Sequence, residues 1–159
     1  MKPAEISGIG EFTGEEVLLK GWVYNMRSSG KILFLQMRDG TGVIQCIIEK
    51  AAVGDGLFEE ASGLTQESSL EVTGTVREDA RAPGGYELSV TGLTVIQVAE
   101  SYPITPKDHG STFLMDNRHL WLRSRRQNAI LRIRAGLVRF IRDFYDTRGF
   151  ILCDTPIFT

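Results

Sequence analysis

Apolar and polar residues alternate along five stretches of the first hundred residues, the pattern of strands that bury one face. In the second stretch, Leu33, Leu35 and Met37 share one face, while Phe34 lies on the other. Turn residues separate the stretches, most clearly in the Asp-Gly-Thr-Gly run at 39–42. The pattern predicts strands over Val17–Met26, Ile32–Arg38, Val43–Glu49, Ser69–Arg77 and Tyr86–Val98.

One short helix interrupts this β-rich region. Residues 54–63 combine turn residues, acidic residues and a closing glycine, which is typical of a short helix. Five strands with a helix between the third and the fourth fit a mainly β fold, a five-stranded Greek-key barrel of the OB type. Such barrels commonly bind oligonucleotides on the face formed by their second and third strands.

The last third of the chain has a helical pattern. Residues 127–148 carry apolar side chains at spacings of three and four, as in an amphipathic helix. Gly149 follows as a left-handed cap, and Phe150–Asp154 is expected to form a short strand that ends at Thr155-Pro156. One helix and one strand cannot enclose a core. This segment must therefore dock on the barrel, on a second copy of itself or on a domain outside these 159 residues.

Charge divides the chain at about the same place as the pattern does. Residues 1–100 hold 8 Lys and Arg against 15 Asp and Glu, whereas residues 101–159 hold 10 against 5. A shift of this size next to a proline-containing stretch predicts a domain boundary near residue 100. The acidic first part disfavours non-specific binding of nucleic acid over its whole surface, so a nucleic-acid site there must be local.

Several classes of protein are excluded at this point. No run of about 18 apolar residues occurs, and residues 1–12 lack the apolar centre of a secretory signal, so we expect no contact with a membrane and a cytoplasmic location. Cys46 and Cys153 stand far apart, which favours reduced thiols over a disulfide. No phosphate-binding loop, metal-ligand spacing or nucleophile triad is present, and the sequence predicts neither a catalytic residue nor a metal site.

The candidate chemistry lies on the second and third strands. A base from a single-stranded loop can stack on an outward Phe34, a contact worth about 1–3 kcal/mol. Gln45 can both donate to and accept from a base edge. Arg27 and Lys31 precede the second strand and can hold phosphates, and Arg38 ends that strand. Alternation alone leaves another interpretation open, in which Phe34 packs beneath a loop and Gln45 is a solvated strand residue.

Three blocks of the sequence resemble the class IIb aminoacyl-tRNA synthetases, the aspartyl, asparaginyl and lysyl group. Residues 21–48, GWVYNMRSSGKILFLQMRDGTGVIQCII, resemble the anticodon-binding OB domain of that group. Residues 148–159, RGFILCDTPIFT, together with the preceding helix, are similar to motif 1 of class II synthetases. Residues 102–134 look like the hinge and entry segment of the asparaginyl enzymes, which the His-Leu-Trp run at 119–121 matches better than it matches the aspartyl ones.

The resemblance implies a division of the chain and a role for individual residues. Residues 1–100 would be the anticodon-binding OB domain, 101–126 a hinge, and 127–159 the motif 1 helix and strand that start a catalytic domain. Within the barrel, the family's strand 1 arginine, stacking phenylalanine and uridine-reading glutamine match Arg27, Phe34 and Gln45. The motif 1 proline, which lies at the dimer interface of the family, matches Pro156.

The resemblance also implies a function. The full-length parent would ligate asparagine to tRNA(Asn) with ATP and Mg²⁺ as a homodimer, and this chain would recognise the anticodon loop. Motifs 2 and 3, which bind ATP in the family, do not occur in these 159 residues, so we expect the chain alone to be inactive and to hold no cofactor. Two alternatives stay open: a piece of a non-discriminating aspartyl-tRNA synthetase, and a free-standing OB module that binds single-stranded RNA.

Overall fold

The computed structural model describes residues 2–157 and divides into two compact units. The first unit ends at Pro106, and the second begins at Lys107. The predicted barrel lies within the first unit and the predicted long helix within the second.

The first unit consists mainly of strands. Strand β1, of two residues, and a 3₁₀ helix precede the first long strand, β2, and two short helices separate β4 from β5. The elements are β1 Lys2–Pro3, a 3₁₀ helix Ile6–Phe12, β2 Glu16–Ser29, β3 Ile32–Arg38, β4 Val43–Glu49, α1 Lys50–Val53, α2 Asp55–Ser62, β5 Ser69–Glu78, a 3₁₀ helix Pro83–Gly85 and β6 Tyr86–Gln97.

Strands β2 to β6 close into a barrel. The sheet order is β1-β2-β3-β4-β6-β5, and a further ladder between β2 and β5 joins its ends. The ladders are antiparallel apart from β1–β2 and β4–β6, which are parallel. The predicted fold class, a mainly β five-stranded OB barrel, is confirmed. The short helix expected over residues 54–63 is α2, and a further helical turn, α1, precedes it and was not predicted. Gly54, which has φ of 82°, separates the two.

Strand β2 is long enough to pair with two partners. Its first half, Glu16–Trp22, pairs with β5, and its second half pairs with β3 from Trp22 onward. The register with β3 shifts between Val23 and Asn25, so Tyr24 is the extra residue of a β-bulge. Because one added residue reverses which side chains point inward, the alternation seen over 17–23 does not continue through the second half of the strand.

The barrel interior holds the side chains that the alternation of β3 and β4 places inward. Leu35, Met37, Cys46 and Ile48 are completely buried. Cys46 is a free thiol, and its burial raises the pKa to about 12, so it stays protonated at neutral pH. Burying a large apolar side chain such as Leu35, Met37 or Ile48 contributes about 1.5–3 kcal/mol to the stability of the fold. The strands are therefore held by their inward face, opposite to the candidate site.

The second unit is helical. It contains α3 Ser111–Asp116, a 3₁₀ helix Trp121–Arg123 and the 22-residue helix α4 Arg125–Asp146. Gly149 has φ of 80°, which confirms the predicted left-handed cap. The short strand expected over Phe150–Asp154 is not formed, because this segment has no partner strand within residues 2–157. The expected boundaries of the hinge, 101 and 126, stay predictions.

Helix α4 has an apolar side that nothing in residues 2–157 covers. None of its residues is buried, and Ile133, Leu137 and Phe140 are each more than half exposed. A contiguous apolar surface of this kind is typical of an interface. No helix within the described residues is both long and apolar enough to cross a membrane.

The turn between β3 and β4 is organised by Asp39. Its carboxylate accepts hydrogen bonds from the backbone N–H groups of Thr41 (2.6 Å), Gly42 (2.9 Å) and Ile6 (2.9 Å), and from the Thr41 hydroxyl (2.7 Å). Partial burial alone would raise the pKa of Asp39, but these hydrogen bonds outweigh it and lower the pKa below its ordinary value of 3.8. Asp39 thus fastens the N-terminal 3₁₀ helix to the barrel.

We predict that Asp39→Asn lowers the free energy of unfolding by about 1–3 kcal/mol at pH 7, because hydrogen bonds to a charged acceptor are lost. A carboxylate whose pKa is lowered by folding stabilises the protein above its unfolded-state pKa and loses this effect as the pH falls through its folded-state pKa. The difference between wild type and variant, measured by urea denaturation, should therefore shrink below pH 3.8.

The matched control is Glu11→Gln, which neutralises an exposed carboxylate in the 3₁₀ helix Ile6–Phe12, the helix that Asp39 holds. This variant should unfold like the wild type at both pH values. A difference between Asp39→Asn and wild type that is equally large at pH 7 and in acid would contradict the role of the charged carboxylate.

Candidate nucleic-acid interface

The outward face of β3 and β4 forms one side of an open groove. The groove has a volume of about 500 Å³ and continues onto the β5–β6 turn and the start of β6. Its lining comprises Arg27, Ile32, Phe34, Gln45, Ile47, Glu49, Asp79, Arg81 and Glu87. Three of the five residues predicted to bind a nucleic acid are therefore brought together: Arg27, Phe34 and Gln45.

Phe34 lies half-buried in the middle of β3, on the face opposite to the core. Its cross-strand neighbours are Arg27 on β2 and Ile47 on β4. The Arg27 guanidinium carbon lies 4.5 Å from the centre of the Phe34 ring, a cation–π contact. Phe34 thus lines an open groove and has a cation over its ring.

Gln45 lies one cross-strand row away from Phe34. It opposes Gln36 on β3 and Glu87 on β6, and it is diagonal to Phe34. Diagonal neighbours on one face of an antiparallel pair are about 7–8 Å apart, which is within the reach of a base that stacks on Phe34. The amide can therefore bond the edge of a base whose plane lies on the ring.

The walls of the groove are more acidic than basic. Glu49, Asp79 and Glu87 supply three carboxylates against the two guanidinium groups of Arg27 and Arg81. Arg81 also donates to Asp79 from its side chain (3.2 and 3.1 Å) and its backbone N–H (2.9 Å), and these bonds lower the pKa of Asp79. Acidic walls of this kind suit hydrogen-bond donors better than they suit negatively charged groups such as phosphates.

The other two predicted residues lie outside the groove. Lys31 is exposed at the β2–β3 turn, next to Gly30, whose φ of 61° allows the tight reversal. Arg38 forms an ion pair with Glu67, in which the two side chains are only 13% and 8% exposed. Its guanidinium also lies 5.1 Å from the Trp22 ring. Arg38 is therefore engaged in structural contacts, and its predicted role in binding is not supported by its position.

Pro156 lies exposed in the segment after α4, in the second unit. The described residues hold no cluster of three or more His, Cys, Asp or Glu side chains that could hold a metal ion.

Sequence reasoning missed the groove residues that come from β6, the strand next to β4, and from the turn before it. Asp79 and Arg81 belong to the β5–β6 turn, and Glu87 follows at the start of β6. The Asp-x-Arg spacing in a turn is a local signal of an ion pair. That this pair faces Phe34 follows only from the parallel β4–β6 ladder, which alternation within single strands does not reveal.

Comparison with protein families gives two matches along the chain. Residues 17–96 match the OB-fold nucleic acid binding domain. Residues 110–159 match the tRNA synthetases of class II that comprise the D, K and N enzymes. The first match covers the strands of the barrel, and the second begins just before α3.

Individual relatives agree with these matches. The chain is 55% identical to an asparagine–tRNA ligase of Pelotomaculum thermopropionicum, covering all of this chain and 37% of that protein. The asparaginyl-tRNA synthetase of Pyrococcus horikoshii, solved with asparaginyl-adenylate, has a TM-score of 0.88 at 36% identity and covers 99% of this chain and 37% of its own. An aspartyl-tRNA synthetase of Entamoeba histolytica, with a TM-score of 0.81 at 21% identity, covers 98% of this chain and 39% of its own and shares the fold.

The chain spans just over a third of the length of the curated relatives it matches. Along that span it has the barrel of the first family, followed by the segment that matches the second. The chain therefore belongs to the family of OB-fold nucleic acid binding domains, and over its whole length it is similar to asparaginyl-tRNA synthetases.

Proposed function

We propose that the barrel binds the anticodon loop of tRNA(Asn) in the groove of β3 and β4. The observation that carries this proposal is the Arg27–Phe34 stack beside Gln45, in a chain that is 55% identical to an asparagine–tRNA ligase. A single-stranded loop can splay its bases apart, and aromatic side chains with adjacent amides are the usual means of holding such bases. In this proposal one anticodon base stacks on Phe34, and Gln45 bonds the edge of the central uridine.

Arg27 and Lys31 serve the phosphates in this arrangement. Both lie near the β2–β3 turn and are exposed, so they can follow a backbone that runs along the rim. Because the groove walls are acidic, affinity depends on these few contacts and not on the net charge of the barrel.

We further propose that the full-length protein ligates asparagine to tRNA(Asn) as a cytoplasmic homodimer, using ATP and Mg²⁺. The present chain would supply recognition alone and be inactive in aminoacylation. The domain division proposed for it is an OB domain over 1–100, a hinge over 101–126 and the start of the catalytic domain over 127–159.

The dimer is proposed to form through the apolar side of α4, with Pro156 in the same interface. Ile133, Leu137 and Phe140 expose between 56% and 72% of their surface, and the apolar Phe150 and Ile151 follow the helix. Burying such side chains against a second copy would remove a large apolar area from water, which is the main driving force of subunit association.

Phe34→Ala is predicted to weaken the binding of a stem-loop RNA carrying the asparagine anticodon by about 1–3 kcal/mol, the value of one base–aromatic stack. Fluorescence anisotropy with a labelled stem-loop measures this change. The matched control is Phe113→Ala, which removes a partly exposed phenylalanine of the second unit. Equal affinity of wild type and Phe34→Ala would contradict the stacking role and, with it, the proposed function.

Gln45→Ala is predicted to reduce the preference for a central uridine over a cytidine while keeping more of the total affinity than Phe34→Ala does. The reason is that an amide reads the hydrogen-bonding edge of a base, whereas stacking tolerates any base. Competition between the two stem-loops measures the preference. If discrimination against cytidine were unchanged, Gln45 would not be the reader of that base.

Leu137→Glu in α4 is predicted to shift the chain towards the monomer, because a buried carboxylate in an apolar interface is strongly unfavourable. Analytical ultracentrifugation over a range of concentrations compares it with the wild type, which should self-associate. Arg139→Glu places the same charge on an exposed neighbouring position of the helix and serves as the control. A wild type that stays monomeric at high concentration would contradict the proposed interface.

A further inference from the structure

Side chains on the outward face of β2, β3 and β4 line up in rows that run across the strands. In the row next to Phe34, Asn25 opposes Gln36, and Gln36 opposes Gln45. We name these three residues the amide row. The bulge in β2 is what makes the row possible, since without the extra Tyr24 the alternation from Val23 would point Asn25 into the barrel.

The amide row is poor in internal hydrogen bonds. Gln36 and Gln45 are half-buried and Asn25 is exposed. Within residues 2–157, none of these three side chains has a hydrogen-bond partner. Each primary amide carries two donor hydrogens and an acceptor oxygen. Half-buried polar groups without protein partners are costly when a ligand covers them unless that ligand supplies hydrogen bonds.

The position of the row relative to Phe34 sets what it can meet. Gln36 lies two residues beyond Phe34 on the same face of β3, a step of about 7 Å along an extended strand. Directly opposed side chains lie about 5 Å apart at their Cβ atoms, so Asn25 and Gln36 can contact one group together. A base stacked on Phe34 therefore has its chain neighbour above or beside the amide row.

The far side of the row is closed. The next cross-strand pair on this outward face is Trp22 and Arg38. The Arg38 guanidinium lies over the Trp22 ring and forms an ion pair with Glu67. These groups are engaged with one another and delimit the polar surface. The outward face thus offers a stacking position at Phe34, then a polar position at the amide row, and then a fixed boundary.

We propose that Asn25 and Gln36 form a second base-reading subsite, which hydrogen-bonds the edge of the unstacked nucleobase that neighbours the base held by Phe34 and Gln45. This subsite rests on the proposed function, because it requires a single-stranded RNA to lie in the groove. Two adjacent amides can satisfy donors and acceptors of one base edge together, which is how asparagine and glutamine side chains discriminate bases.

The test uses the 159-residue chain and stem-loop RNAs with the asparagine anticodon, either intact or abasic at one of the two positions flanking the central uridine. For one of the two flanking positions, wild type should bind the abasic RNA more weakly than it binds the intact RNA. The double variant Asn25→Ala/Gln36→Ala should bind the intact RNA roughly tenfold more weakly, as expected for the loss of ordinary hydrogen bonds. It should also lose most of the penalty for that abasic position.

Controls separate this proposal from the one on which it rests. Gln97→Ala removes an exposed amide at the end of β6 and should bind like the wild type, and circular dichroism should show the same barrel for all variants. If Phe34→Ala weakens binding but the double variant binds all three RNAs as the wild type does, the subsite is refuted and the groove stands. A double variant that loses the same factor on all three RNAs also refutes base reading. If Phe34→Ala has no effect, the proposed function itself fails.

Discussion

The barrel depends on one strand that pairs with two neighbours. Strand β2 pairs with β5 through its first half and with β3 through its second, and Trp22 takes part in both ladders. At this crossing the backbones come so close that a Cβ on Gly21 would collide with the carbonyl oxygen of Arg38. Glycine at 21 is therefore a condition for closing the sheet through the β2–β5 ladder.

The bulge in β2 determines which side chains the groove receives. The alternation of the first half places Val17, Leu19 and Val23 in the core, and a regular continuation would place Arg27 there as well. The extra residue, Tyr24, reverses the order, so that Arg27 opposes Phe34 on the outside. The two halves of β2 thus follow opposite patterns of inward and outward positions. The first half closes the barrel, the second half faces the groove, and both stay paired.

Much of this arrangement could be predicted from the sequence, and the rest could not for identifiable reasons. The inward set of β3 and β4, and hence the outward position of Phe34 and Gln45, follows from alternation, because both strands are regular from end to end. The same alternation places Arg38 on the outward face, but its partner Glu67 lies in a loop 29 positions further along the chain. No local pattern in the sequence predicts such an ion pair. The unpaired segment at Phe150–Asp154 has the composition of a strand, but a strand needs a neighbour as well as a sequence.

The contact between Arg27 and Phe34 also affects the surface that the barrel presents to solvent. An uncovered aromatic ring on the outside of a sheet is an apolar surface on which the apolar parts of other proteins can pack. Here the charged guanidinium of Arg27 lies over the ring, with its central carbon 4.5 Å from the ring centre. A purely apolar partner that packed on this face of the ring would have to displace the guanidinium from it. A nucleotide, the ligand proposed for this groove, could offset that loss because its phosphate can pair with the displaced guanidinium. The Arg27–Phe34 contact thus favours ligands that combine a flat ring with a negative charge.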